Sequence, residues 1–86
     1  MVNGSDYKEI RFSVTDITCF NCALRVKRAL ATLRNVEGVE VIPDFERNMA
    51  TAIIKVKGSL ERREIEEVIE EASMETPHHE YKVIWD

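Results

Sequence analysis

Asp16-Ile17-Thr18-Cys19-Phe20-Asn21-Cys22 is the stretch on which the reading of this chain turns. It holds the two cysteines of the 86-residue sequence and lies where one hydrophobic period gives way to another. Upstream, Ile10, Phe12 and Val14 alternate with Glu9, Arg11 and Ser13, the two-residue period of a strand that buries one face. Downstream, Ala23, Val26, Leu30 and Leu33 recur every three or four residues, with Arg25, Lys27, Arg28 and Arg34 between them. That pattern predicts an amphipathic helix from about Asn21 to Leu33. Two residues between thiols let both sulfurs converge when the turn leads into a helix. Cys22 then falls in the first helical turn, where unpaired N–H groups and the helix dipole favour a thiolate. Such a pair can bind a soft metal ion or cycle as a disulfide.

Outward from this junction the elements follow in order. Asn35-Val36-Glu37-Gly38 reads as a turn into a second strand bearing Val39 and Val41. Pro43 has no amide hydrogen for a ladder, which assigns that strand to a sheet edge. Glu46-Arg47-Asn48 reads as a hairpin tip, since Asn tolerates positive φ. The third strand, Ala50 to Val56, turns Ala52, Ile54 and Val56 inward and Thr51, Ile53 and Lys55 outward. Gly58-Ser59 marks a break, with Ser59 as the expected N-cap of a second helix and Glu61 in its first turn. That helix runs to about Ala72 on a stripe of Ile65, Val68, Ile69 and Ala72, and its outer face is rich in glutamate. Ser73 to His79 is expected to be a loop, because Pro77 prevents the helix from running on. Tyr81 to Trp85 is the last strand. The first six residues are expected to fray, and 1–86 is read as a single domain.

The order β-α-β-β-α-β is the split βαβ arrangement, an α+β ferredoxin-like sandwich with a four-stranded antiparallel sheet and two helices on one face. The loops after the first strand and after the second helix emerge at the same end, which brings Met74 near Cys19 and Cys22.

Composition narrows the function. A net charge of −4 argues against a general binder of nucleic acid or anionic membranes. No apolar run approaches the roughly 20 residues of a membrane-spanning helix. The N-terminus has no basic region followed by an apolar one, so no secretory signal and no membrane insertion are expected. A soluble, cytoplasmic protein is the default. A disulfide between cysteines this close constrains little of the unfolded chain, so the pair reads as chemistry rather than as a staple. No Ser/His/Asp set, paired carboxylates or Gly-rich phosphate loop marks an enzyme.

Thr18-Cys19-Phe20-Asn21-Cys22 at the strand-to-helix junction, Val36-Glu37-Gly38-Val39 and the βαββαβ order together resemble the heavy-metal-associated domain family, over nearly everything from Tyr7 to Trp85. That family comprises small copper chaperones and the metal-binding domains of copper-transporting P-type ATPases. The resemblance implies that Cys19 and Cys22 are metal ligands, with Thr18 preceding the first. It also implies that the chain delivers Cu(I) by ligand exchange to a copper-transporting P-type ATPase or related metal-binding domain. Three departures from the family pattern stand out. Ile17 replaces a methionine that packs beneath the loop. Asp16 replaces a glycine, and its carboxylate is expected to raise the thiol pKa values. Ser73-Met74 stands where Gly followed by Lys, Tyr or Phe is usual.

Two thiolates suit nearly linear Cu(I), while Hg(II) fits the same sulfurs and structural zinc normally takes four protein ligands. Met74 is either an apolar shield or a weak third ligand through its thioether. His78 and His79 are loop residues or auxiliary ligands for zinc or Cu(II). Phe20 shields the cysteine loop or meets a partner, and Tyr81 and Trp85 pack at the sheet end. A shared-thiolate intermediate could also bridge two copies into a metal-linked homodimer. Two alternatives stay open: a thiol–disulfide redox protein, although Phe20-Asn21 is unlike a thioredoxin interior, and a metal-sensing domain of a transporter. A nucleic-acid module of the RRM type fails, since the third strand displays no aromatic residue. The basic first helix could steer an acidic partner.

Overall fold

The computed structural model describes residues 7–76 and 78–85. The expectations for residues 1–6 and for Pro77 lie outside them. The elements are β1 (Tyr7–Thr15), α1 (Phe20–Ala31), β2 (Val36–Asp44), β3 (Met49–Lys57), α2 (Arg62–Met74) and β4 (Val83–Ile84). The strands form one antiparallel sheet in the order β2-β3-β1-β4. This is the ferredoxin-like βαββαβ sandwich, with Pro43 on an edge strand as its missing N–H requires.

The core follows from the two periods. Phe12 and Val14 of β1 pair with Ala52 and Ala50 of β3, large beside small, which leaves room over the alanines for the helices. Ile54 and Val56 extend the β3 row, and Val26, Leu30, Ile65 and Ile69 close over the sheet from α1 and α2. All are essentially without solvent contact. Val68 and Leu33 are only partly buried, on the flanks of the helical stripes.

Three boundaries differ from the expectation. The N-cap of α2 is Glu61 rather than Ser59: its backbone N–H donates to the Glu64 carboxylate at 3.1 Å. This acidic return contact replaces the hydroxyl cap, and it sits where the helix dipole favours negative charge. At the other end, Ser73 and Met74 are helical rather than loop. A proline restricts the residue before it and its own amide, so a helix ending three residues earlier meets no conflict. Finally, β4 is two residues long. Just before it, Lys82 N–H donates to the Thr15 hydroxyl at 3.2 Å, a side chain standing in for a ladder carbonyl.

Three connections meet at one end of the sheet: the segment after β1, the β2–β3 turn and the segment after α2. No helix among the described residues is long and apolar enough to cross a membrane.

Candidate metal centre

The chain leaves β1 at Asp16, whose φ of 63° lies in the left-handed region that non-glycine residues seldom occupy. Aspartate is one of the few side chains that tolerate it. The reversal drives Ile17 downward into the core, where it is fully buried, and its N–H donates to Asn48 carbonyl oxygen at 2.9 Å. The expectation that Ile17 plugs the space beneath the loop therefore agrees with its position. On the other side, Thr15 N–H donates to Lys82 carbonyl oxygen at 2.9 Å, so the loop is anchored at both flanks.

Cys19 is the N-cap residue of α1, in extended conformation, and its carbonyl accepts from Cys22 N–H at 3.1 Å. This places Cys22 in the first turn, as the spacing predicts. The two sulfurs lie 3.4 Å apart. They differ in setting, for Cys19 is exposed and Cys22 is 2% exposed. Burial alone would push the Cys22 thiol up, but the Tyr81 hydroxyl, the Thr18 backbone amide, Cys19 and the Thr18 hydroxyl all favour its thiolate. The result is a pKa lowered from 9.0 to about 7.

The expected upward push from Asp16 is not what the structure shows. The Asp16 carboxylate faces the segment after α2 instead, accepting from Glu80 N–H at 2.7 Å and lying 3.4 Å from Nδ1 of His79. The ring of His79 presents Nε2 to Cys22 Sγ at 3.8 Å.

That segment is organised on Ser73. Its hydroxyl donates to His79 carbonyl oxygen at 2.9 Å and accepts from Tyr81 N–H at 3.1 Å. Its carbonyl accepts from the Thr76 amide at 3.1 Å and the Thr76 hydroxyl at 3.2 Å. Tyr81 is thereby turned inward, 3% exposed, with its ring parallel to that of His79 at 5.9 Å between centroids. Its hydroxyl is buried and has no hydrogen-bond partner among the described residues. A Cys22 thiolate supplies the acceptor it lacks. Burial and that thiolate push Tyr81 up to about 12, so it stays a donor.

Met74, at the last turn of α2, is 77% exposed on a shallow rim it shares with Asp16, His78 and His79. Its thioether points largely into solvent, and the group that reaches Cys22 from this side is His79. Phe20 is 65% exposed beside the cysteines. Arg25 and Arg28 line the groove between the helices together with Glu71 and Glu75, so the basic side of α1 has acidic residues of α2 and its C-cap beside it. Trp85 keeps its packing role: its ring meets Phe12 at 5.1 Å and its Nε1–H donates to Glu66 at 2.8 Å.

Sequence reasoning missed Tyr81 as part of the site. Its place in a run read as strand pointed to the sheet end, whereas the Ser73 contacts turn it beneath Cys22.

A family model described as Heavy-metal-associated domain matches residues 11–75. No curated protein matches the sequence. Among solved structures, the copper form of a CopA variant from Bacillus subtilis shares 24% identity at a TM-score of 0.67, over 95% of each chain. A putative copper-ion-binding protein from Bacillus anthracis shares 18% identity at a TM-score of 0.66, over 93% of this chain and 99% of that one. Oxidized MerP from Ralstonia metallidurans shares 22% identity at a TM-score of 0.52, over 90% and 96%. At such identities the likeness is one of fold, while the match over residues 11–75 spans most of the chain. The chain belongs to the heavy-metal-associated domain family.

Proposed function

We propose that this chain holds one Cu(I) between Cys19 and Cys22 and passes it to a partner domain by ligand exchange. The observation that carries this reading is the pair of sulfurs 3.4 Å apart at the tip of the fold, one exposed and the other buried with its thiolate stabilised near neutral pH. Linear coordination with bonds of about 2.3 Å separates two sulfurs by about 4.6 Å. Cys19, exposed at a helix N-cap, is the side that can open to reach it. Soft thiolates select Cu(I) over hard cations, and Hg(II) or Zn(II) are the competing cargoes.

The asymmetry of the pair gives the exchange a direction. Cys22 stays anchored by Tyr81 and the first helical turn. An incoming thiolate from a partner would attack the ion on the open side, giving a three-sulfur intermediate from which Cys19 leaves. A second partner thiolate would then displace Cys22, so that the ion passes over with two sulfur ligands. A copper-transporting P-type ATPase, or a related metal-binding domain, offers such thiolates, and two copies of this chain could share one ion in the same way. Exposed Phe20 and Leu24 flank that open side as contact surface. Met74, on the neighbouring rim, shields the ion or adds a weak thioether contact. Non-enzymatic cargo transfer suits a site with no catalytic set, and the cytoplasm keeps such thiols reduced. The similar proteins described as copper-binding support the choice of ion.

Anaerobic titration of the reduced protein with Cu(I), followed by native mass spectrometry, tests the reading. One ion per chain is expected, and a Cys19→Ser/Cys22→Ser variant that loads equally well would refute it.

A further inference from the structure

We propose that Nε2 of His79 is a third metal donor beside Cys19 and Cys22, held in register by Asp16, so that the site also takes divalent zinc-class cargo. The proposal rests on the two-cysteine reading above and deepens it.

The first argument is distance. A metal bonded to a thiolate at about 2.3 Å and to an imidazole at about 2.0–2.1 Å, with about 120° between them, sets sulfur and nitrogen about 3.8 Å apart. Cys22 Sγ and His79 Nε2 are 3.8 Å apart. The sulfur pair, at 3.4 Å, is nearer the roughly 3.8–4.0 Å of tetrahedral or trigonal coordination than the roughly 4.6 Å of a linear site. No three such side chains are already gathered as a ligand group among the described residues. Bringing the sulfurs to that separation takes a movement of about 0.4–0.6 Å, and exposed Cys19 is the side chain placed to make it and to close on the ion.

The second argument is orientation. Histidine ligands usually present their far ring nitrogen to a carboxylate, which fixes the ring and raises the basicity of the ligating nitrogen. Here Asp16 Oδ2 approaches Nδ1 to 3.4 Å, and Nδ1 is a buried atom with no hydrogen bond among the described residues, so the carboxylate is the acceptor standing nearest to satisfy it. Nε2 is left for Cys22 and whatever Cys22 binds. Asp16 does this from a positive φ that aspartate tolerates. The backbone of His79 is pinned at its carbonyl by Ser73 and at its amide by Thr76, and Tyr81 stacks on its ring.

Two thiolates and an imidazole leave a divalent zinc-class ion one open position, which suits a cargo that must be handed on. Cu(I), satisfied by two thiolates, depends less on the third donor.

The test uses the full, reduced chain under anaerobic conditions with Zn(II) alone and Cu(I) alone as probes. In protein labelled with nitrogen-15 histidine, one equivalent of Zn(II) is expected to shift the Nε2 resonance of His79 to the metal-bound region. In chelator competition, His79→Ala is expected to weaken Zn(II) at least tenfold and Cu(I) by less. Asp16→Asn, as a change to a positioning residue, is expected to weaken Zn(II) about tenfold and to broaden the His79 ring signal. Thermal unfolding of each apo variant separates a lost ligand from a lost fold. Stoichiometric Zn(II) on the sulfurs with Nε2 unmoved would overturn the third donor and leave the two-cysteine reading standing. No metal uptake by the parent chain would sink both.

Discussion

Asp16 and His79 face each other across the mouth of the cysteine loop, 3.4 Å apart at Oδ2 and Nδ1, and the same oxygen accepts from Glu80 N–H at 2.7 Å. One carboxylate thus joins the β1–α1 turn to the segment after α2. It does so from a backbone conformation that favours glycine.

That coupling predicts an ordering of variants at Asp16. Asp16→Ala keeps the unfavourable φ and loses the acceptor for Glu80 N–H, so it should cost about 2–3 kcal/mol. Asp16→Asn retains both an oxygen and a tolerance of positive φ and should cost less than about 1 kcal/mol. Urea unfolding of the reduced apo forms measures both. Equal losses would mean that the carboxamide oxygen does not replace the carboxylate at Glu80.

Tyr81→Phe should raise the Cys22 pKa from about 7, because it removes the donor that favours the thiolate. At pH 6, where the thiol is mostly neutral, deletion of a buried hydroxyl without a partner should change stability little. Thiolate absorbance or alkylation rate against pH gives the midpoint, and an unmoved midpoint would contradict the assigned role of the hydroxyl.

The same shifts set a pH profile for folding. Cys22 is depressed in the folded state, so its contribution is present above pH 9.0 and is lost as pH falls through about 7. At about 1.4 kcal/mol per pH unit, the interval from 9.0 to about 7 corresponds to a gain on the order of 3 kcal/mol. Tyr81 is raised from 10.0 to about 12, so its contribution is present below pH 10.0 and fades as pH rises towards 12. The reduced apo protein should therefore be most stable near pH 9–10, between these two intervals. A Cys22→Ser variant should lose the rise between pH 7 and 9.

The fold was legible because its signals are local. The alternation through Ile10, Phe12 and Val14 and the three-and-four spacing of Ala23, Val26 and Leu30 each specify an element and a buried face. Cys19 and Cys22 were legible for the same reason, since the distance between them in sequence fixes where a helix start places them. Asp16, His79 and Tyr81 were not legible as a cluster. Their meeting depends on Ser73 catching both His79 and Tyr81, and on one aspartate turning its backbone left-handed. Neither event leaves a periodic trace. Asp16 was read as a charge beside sulfur because sequence adjacency was the only distance in view, and in the fold its carboxylate turns to the segment after α2.

Ile17 supplies the last test, since it links the core to the position of the sulfurs. It is fully buried directly beneath the loop, two residues before Cys19, with its amide tied to Asn48. Ile17→Met conserves volume and should cost less than about 1.5 kcal/mol. Ile17→Ala leaves a cavity and should cost about 2–5 kcal/mol. The loop that Ile17 props up should then sag or open, and Cys22, now 2% exposed, should be alkylated faster at pH 6 in the alanine variant than in the methionine one. Alkylation should be measured well below the unfolding midpoint, so that global unfolding does not supply the exposure. If the alanine variant loses stability yet protects Cys22 as well as the parent does, the cysteine loop is held by its flanking hydrogen bonds at Thr15 and Ile17 rather than by the side chain beneath it.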